Sequence, residues 1–447
     1  MWRPLVLAGA CFAIATASIG AGACGRGADS RPSIVLVIVD TLRADALGSF
    51  GDSAGATPAL DALAARGVRF ANAVASSPWT GPSVASIVTG LYPDQLGMRE
   101  LHDPLPAAAD NLASLLGGAG YRTAAVVSNA ICGPDYGHDR GYEQFQYEPY
   151  KRADADGRRF PHFTADRVTD RALELWNARD AHRPLFLHVH YTDPHEPYLA
   201  PEEYARPRGV RPEPSHLDYV LERGYLKADP APEFVDWMRR AYRAEVAFLD
   251  AQLGRLLEAV GEEAIVLVVS DHGEEFAEHG GFLHGHMLYE ELLHVPMLLA
   301  GPGVPEGIVA ESLVSHVDVL PTLLGLVGVS PPGSTAGENL APAWAGGLPK
   351  RRVLSFLLTD GRRRVAVRRG AWKYVRFPGE REPILYNVEL DAEESRNFLT
   401  ARERVGDGLR DFLERRDAAL TVIEGGEATA SGEASRVEAL RAIGYVE

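Results

Sequence analysis

The chain has little cysteine, no excess of positive charge and only one long apolar run, and each shortage removes a class of protein. Three cysteines, Cys11, Cys24 and Cys132, occur in 447 residues, too few for a disulfide framework. Cys132 is left as a lone thiol, more often a small buried hydrophobe than a nucleophile, and takes no role here. Acidic residues outnumber basic ones by 61 to 45, for a formal net charge of −16. That field repels a polyphosphate backbone and excludes nucleic acid as a partner. A small anionic substrate then needs positive charge supplied locally, which a bound metal does compactly. No internal repeat is present. What remains is 46% apolar and 24% charged, the balance of a globular chain, long enough for one large α/β domain and a smaller companion.

The single apolar run lies at the amino terminus. Arg3 precedes residues 4–23, which carry no charge and end in Ala21-Gly22-Ala23-Cys24. Residues 1–23 read as a signal peptide of the bacterial lipoprotein type, with Ala21 where leucine is usual, and residues 24–32 as a tether. An uncleaved single-span anchor is the alternative. Both readings give an exported protein, periplasmic or at the cell surface, held to the membrane by an N-terminal lipid or signal anchor.

Residues 33–39 (SIVLVIV) form a near-continuous apolar run that predicts a strand buried on both faces, as in a parallel sheet. Residues 123–127, 185–190 and 265–270 read alike, and helical patterns at 57–66, 111–118 and 234–260 alternate with them. The alternation predicts an α/β catalytic domain over 33–330. Residues 328–350 read as a linker, and short alternating segments between 353 and 388 predict a small antiparallel sheet, followed by a charged helix near 401–416. The C-terminal subdomain spans 350–422, and 423–447 is a flexible tail.

Ligands of open α/β sheets gather beyond the carboxyl ends of the strands. Asp40 follows the first strand in Val-Asp-Thr-Leu-Arg-Ala-Asp, and Asp271 and His272 follow a later one in Ser-Asp-His-Gly-Glu-Glu. Thr80 stands in Ser-Pro-Trp-Thr-Gly-Pro-Ser at the start of a helical stretch. Carboxylate oxygens with an imidazole suit a divalent transition metal such as zinc or manganese better than calcium, although calcium stays possible. A threonine hydroxyl is a poor nucleophile until a metal or a base activates it, and a helix start offers N–H groups to an anion. Singly, each residue also reads as a helix cap or a polar turn.

Together, in this order, they resemble the sulfatase family of the alkaline phosphatase superfamily. The likeness rests on residues 34–45 (IVLVIVDTLRAD), 57–67 with Phe70, Pro82-Ser83 running to Thr89-Gly90-Leu91-Tyr92-Pro93, and Asp193-Pro194-His195-Glu196-Pro197-Tyr198. It continues through Tyr242…Asp250…Gly254, 270–273, Tyr289-Glu290-Glu291, Val317-Asp318 and Leu385-Tyr386-Asn387. The resemblance implies an alkaline phosphatase-like central, mostly parallel sheet flanked by helices, with a smaller C-terminal antiparallel sheet. It implies a metal held by Asp40, Asp271 and His272, with Thr80 as nucleophile and fourth ligand. His195 would contact the anionic group, and His284 and His286 sit where the family has a further contact. Asp193, His195 and His286 match the chain order of a second-metal set, which stays open.

The departures bear on substrate. A family sulfatase carries Cys or Ser, matured to formylglycine, then Pro two residues on and Arg four on. Here those positions are Thr80, Pro82 and Val84. The Gly-Lys-Trp-His segment is replaced by Val127-Ser128-Asn129-Ala130, and Gly285 stands near where a lysine is expected. A formylglycine hydrate expels sulfate by carbon–oxygen cleavage, whereas a sulfated threonine has no such exit. A phosphorylated threonine is hydrolysed at phosphorus with metal help. The expectation is therefore a hydrolase for phosphodiester, phosphonate or phosphate esters. A sulfuric ester hydrolase, a phosphoethanolamine or phosphoglycerol transferase and an inactive binding homologue are the alternatives. Residues 131–162 and 199–232 are the expected specificity-bearing insertions.

Overall fold

A computed structural model describes residues 31–53, 57–148, 164–210, 231–345 and 347–423. The expected signal peptide, most of the tether, the tail and large parts of both expected insertions lie outside the described residues. Among the described residues no helix is long and apolar enough to cross a membrane.

In chain order, the main sheet is built from β1 (Ile34–Val39), β2 (Gly67–Val74), β3 (Arg122–Val127), β4 (Gln144–Tyr147), β5 (Leu185–Tyr191) and β6 (Ile265–Ser270). A small hairpin of β7 (Glu275–Phe276) and β8 (Phe282–Leu283) interrupts it before β9 (Met297–Ala300) and β10 (Ile308–Ser315). The eight strands lie in the order β10-β2-β9-β6-β1-β5-β3-β4. Only β9 runs against the rest, pairing antiparallel with both β2 and β6. The mostly parallel sheet expected from the sequence is present, and all four strands read from apolar runs belong to it.

Those runs are continuous because both faces of the sheet are covered. Ile34, Leu36 and Ile38 of β1 join one core with α2 (Thr80–Thr89), α3 (Leu112–Gly118) and α6 (Val319–Leu326). Val35, Val37 and Val39 join the other with α1 (Pro58–Ala65), α4 (Ala165–Asn177) and α5 (Pro232–Val260). The strands end together: Val39 is level with Tyr191 of β5 and with Ser270 of β6. The ladder then runs one step past the strands, Asp40 N donating to Tyr191 O at 2.9 Å and Asp271 N to Val39 O at 3.1 Å. Two neighbouring parallel strands thus deliver an aspartate each to the same edge of the sheet.

Two motif residues on α5 position this edge from below. Asp250 accepts hydrogen bonds from Ala59 N and Leu60 N, both 2.9 Å, and so satisfies first-turn amides of α1. Tyr242 OH donates to Thr41 O and accepts from Arg43 N, both 2.9 Å, fixing the turn that carries Asp40.

The second sheet is an antiparallel meander, β11 (Val353–Thr359), β12 (Arg362–Arg369), β13 (Trp372–Phe377) and β14 (Arg381–Asn387), with α7 (Glu403–Ala418) behind it. The linker of the sequence reading contains a short helix, Ala341–Ala345. The arginine cluster of β12 is engaged internally: Arg363 pairs with Asp94 and Asp417, Arg364 with Glu380, and Arg368 with Glu290. The buried Lys373 docks this sheet onto the main one, 2.5 Å from Glu394, 3.1 Å from Glu290 and 2.9 Å from Leu288 O. Removing that cation leaves the buried Glu394 carboxylate without its counter-charge, while Arg368 still holds Glu290. Lys373→Met is expected to cost about 3–5 kcal/mol of stability, read as a lowered denaturant midpoint.

His279, between β7 and β8, ties the hairpin to the same region. Its Nδ1 lies 2.7 Å from Glu291 Oε1 and its Nε2 2.9 Å from Glu393 O, and the ring stacks on Tyr289 at 3.6 Å. With an acceptor at each nitrogen, the ring is an imidazolium. Burial alone would lower its pKa, but the Glu291 carboxylate and the Glu393 carbonyl outweigh that and raise it. The stabilisation is full below the unfolded-state pKa of about 6.5 and is lost as pH rises through the higher folded-state value. His279→Gln should therefore lower the melting temperature at pH 6 and leave it nearly unchanged at pH 9.

Candidate active site

Asp40, Thr80, Asp271 and His272 come together at the carboxyl edge of the sheet, all but fully buried. His272 Nε2 lies 3.2 Å from Thr80 Oγ1, 3.7 Å from Asp40 Oδ1 and 3.6 Å from Asp271 Oδ2. A carbonyl only accepts, so His272 Nδ1 carries the proton it gives Gly273 O at 2.9 Å. Its Nε2 faces the two carboxylates and Thr80 Oγ1.

Each carboxylate has one oxygen held by well-formed hydrogen bonds and one that is not. Asp40 Oδ2 accepts from Asn129 Nδ2 at 2.6 Å, and Asp271 Oδ1 accepts from Thr41 N at 3.1 Å and His272 N at 2.7 Å. Asp40 Oδ1 and Asp271 Oδ2 are buried without a well-formed hydrogen bond, the Thr80 hydroxyl being the donor near both carboxylates. Burial raises the pKa of both acids, and the charge of Asp271 raises Asp40 further. Two buried carboxylate oxygens facing an imidazole nitrogen fit a divalent cation, which would reverse this electrostatic penalty.

Thr41 adopts φ 54°, the left-handed region that a β-branched residue occupies only under strain. That turn aims its amide at Asp271. Thr80 opens α2, where only the Thr80 and Gly81 amides lack a partner inside the helix, since Pro82 has no N–H and Ser83 N donates to Trp79 O at 3.2 Å. The approach to it is fixed by Ser83 Oγ donating to Ser77 O at 2.7 Å and by His316. Burial and the charge of His272 push the His316 pKa to about 3, although its bond to Ser270 O favours the charged form. The neutral ring accepts from Ser76 N at 3.1 Å and donates to Ser270 O at 2.9 Å, tying the segment before Thr80 to the strand before Asp271.

His195 and His284 form an aromatic wall beside the group. The ring of His284 is 4.4 Å from that of His272, 5.0 Å from that of His195 and 5.0 Å from that of Trp79. His284 Nδ1 bonds Glu274 Oε1 at 2.8 Å, and Glu274 Oε2 accepts from Tyr198 OH at 2.9 Å. His286 lies elsewhere. Its Nε2 meets Glu275 Oε2 at 2.7 Å, and Gly285 between the two histidines has φ 77°, where a Cβ would come within 2.4 Å of the Trp79 ring. The residues of the second-metal set left open above have these partners: Asp193 bonds Thr164 and borders Glu245, His195 packs on His284, and His286 holds Glu275.

Sequence reading missed three contributors. Asn129 lies just past the end of β3 and His190 one residue before the end of β5, so the carboxyl-edge rule applies to both, but only strand register shows which face they share with Asp40. His316 carries no motif signal at all. Among the described residues, Asp40, His190 and Asp271 have ligand atoms within 4.8 Å of one another; Glu275, His279 and Glu291 make a second such group.

Residues 32–329 match the family model for sulfatases, and residues 277–416 match the model for the C-terminal part of N-sulphoglucosamine sulphohydrolase. The chain is 25% identical to the Δ4,5-hexuronate-2-O-sulfatase of Bacteroides thetaiotaomicron, covering 85% of this chain and 87% of that protein. It is 28% identical to the choline-sulfatase of Rhizobium meliloti, covering 82% of each. The phosphonate monoester hydrolase of Agrobacterium radiobacter shares the fold, with a TM-score of 0.74 at 22% identity over 87% of this chain and 96% of that one. The chain belongs to the sulfatase family of the alkaline phosphatase superfamily and is an ester-bond hydrolase of the kind that uses a divalent metal.

Proposed function

We propose that the enzyme hydrolyses phosphodiester, phosphonate or phosphate esters, with Thr80 Oγ1 as the nucleophile. The observation that carries this reading is a threonine, unable to become formylglycine, set 3.2 Å from His272 Nε2 beside two buried carboxylate oxygens. Asp40, Asp271 and His272 would hold the cation. When bound, it would lower the pKa of the Thr80 hydroxyl and offset charge on the ester oxygens.

The other residues act around that point. Thr80 Oγ1 forms the new bond to phosphorus, and the Thr80 and Gly81 amides at the start of α2 face the non-bridging oxygens. His195 and His284 line the site beside His272, and as the bond from phosphorus to the departing oxygen breaks, that oxygen takes up the proton lost by the Thr80 hydroxyl. Water then clears the phosphorylated Thr80. Two features count against a sulfuric ester. Val84, where family sulfatases carry arginine, is fully buried in the core. Trp79 fills the space that any side chain at Gly285 would need. Both relatives named as sulfatases make sulfate the second reading.

Purified protein assayed with nitrophenyl phosphodiester, phosphonate, phosphomonoester and sulfate should turn over at least one phosphorus ester. Thr80→Ala should lower kcat/KM by at least about a thousandfold. Turnover of the sulfate alone would overturn the substrate reading. Without metal, Asp271→Asn should melt no lower than the unmodified protein, since it removes one of two mutually repelling buried charges. Manganese or zinc at a hundredfold excess over Kd should stabilise the unmodified protein by about 2.7 kcal/mol and leave Asp271→Asn nearly unmoved, as followed by thermal melting.

A further inference from the structure

The main sheet places a third unsatisfied group against the two carboxylates. Side chains alternate along β5, so His188 and His190 share one face. Ile38 is level with His190, and Asp40 follows Ile38 by two residues on the same side. The two histidines differ in their surroundings. His188 bonds Tyr142 OH through Nδ1 at 2.9 Å. His190 is fully buried, and neither of its ring nitrogens has a hydrogen-bond partner.

A buried imidazole with both nitrogens unmade is a rare exception that asks for an occupant. The missing partner lies where the other two are missing. Ligand atoms of His190, Asp40 and Asp271 all fall within 4.8 Å of one another, and Asp40 Oδ1 and Asp271 Oδ2 likewise lack a well-formed hydrogen bond. A protonated His190 bridging the two acids is the competing account. It is disfavoured by the geometry: neither ring nitrogen of His190 makes a hydrogen bond to Asp40 or Asp271. His190 thus shares the two carboxylates with His272, whose Nε2 lies 3.7 Å from Asp40 Oδ1 and 3.6 Å from Asp271 Oδ2.

We propose that His190 is a further ligand of the cation held by Asp40, Asp271 and His272, making the centre a two-histidine, two-carboxylate site for a first-row transition metal. The inference rests on the cation reading given above and deepens it. Two nitrogen donors move the site away from calcium and magnesium, which prefer oxygen alone, toward manganese, iron, cobalt or zinc. The supports of the other ligands are already in place: Asn129 on Asp40, the Thr41 amide on Asp271 and the Gly273 carbonyl on His272.

The test counts nitrogens. In the Mn2+-loaded full chain with 15N-labelled histidine, pulsed electron paramagnetic resonance should report two coordinated imidazoles. His190→Gln and His272→Gln should each report one, and His188→Gln two. Calorimetric titration of His190→Gln should show Mn2+ affinity down at least about tenfold, with Ca2+ affinity changed less than about twofold. The count in the unmodified protein needs no variant to fold, and circular dichroism checks the others. One imidazole in the unmodified protein, or an unchanged count and Mn2+ affinity in His190→Gln, overturns the role of His190. If Thr80-dependent turnover persists alongside either result, the proposed function stands. Absence of any bound cation in the unmodified protein overturns both.

Discussion

Two carboxylates that cannot both be comfortable without a cation dominate the design of this protein. Asp40 and Asp271 leave adjacent parallel strands at the same level, buried, each with one oxygen well held and one not. Charges this close in a dry site repel strongly, and removal from water penalises each of them separately. The sheet accepts the arrangement because β1 and β6 are packed on both faces and cannot move apart. Rigidity of the scaffold, more than any one bond at the site, keeps the repelling pair in place.

The surrounding residues make sense as ways of holding that pair. Thr41 is kept in a strained turn whose amide reaches Asp271, and Tyr242 on the long helix α5 clamps both sides of the turn. Asn129, from the end of β3, takes the outer oxygen of Asp40. His316 joins the segments that carry Thr80 and Asp271, so the hydroxyl and the metal-facing groups share one frame. A third layer, the Lys373 cluster, fastens the C-terminal sheet to the loop that supplies His284. Strain and buried polarity concentrate at one edge, and the uniform apolar core beneath it offsets them.

What was legible in the sequence follows from the same physics. Strands β1, β3, β5 and β6 announce themselves because burial on both faces demands unbroken apolar runs. Edge strands do not: β4 (QFQY) and β10 (IVAESLVS) face partly outward and mix polar with apolar residues. Asp40, Asp271 and His272 were readable because chemistry collects where such strands end. Which of the two histidines flanking Gly285 turns inward was not, since a positive φ at that glycine separates their directions. Asn129, His190 and His316 needed strand register, a property of pairing that no local pattern encodes.

The choice between phosphorus and sulfur chemistry turns on what the site has replaced with bulk. Sulfuryl transfer in this family relies on an aldehyde hydrate that can expel its own ester, and on cations gripping the departing group. Here the hydrate is chemically out of reach at Thr80, the arginine position is the core residue Val84, and the Trp79 ring closes the space over Gly285. Restoring a single one of these features would not restore the others, because each has been filled by packing rather than left vacant. On the proposed reading, charge on the substrate would be met by a cation held at Asp40, Asp271 and His272 together with the start of α2. A phosphorus ester would, on that reading, be attacked directly by the Thr80 hydroxyl and cleared by water at the same atom, with the tetrahedral threonine carbon a bystander throughout.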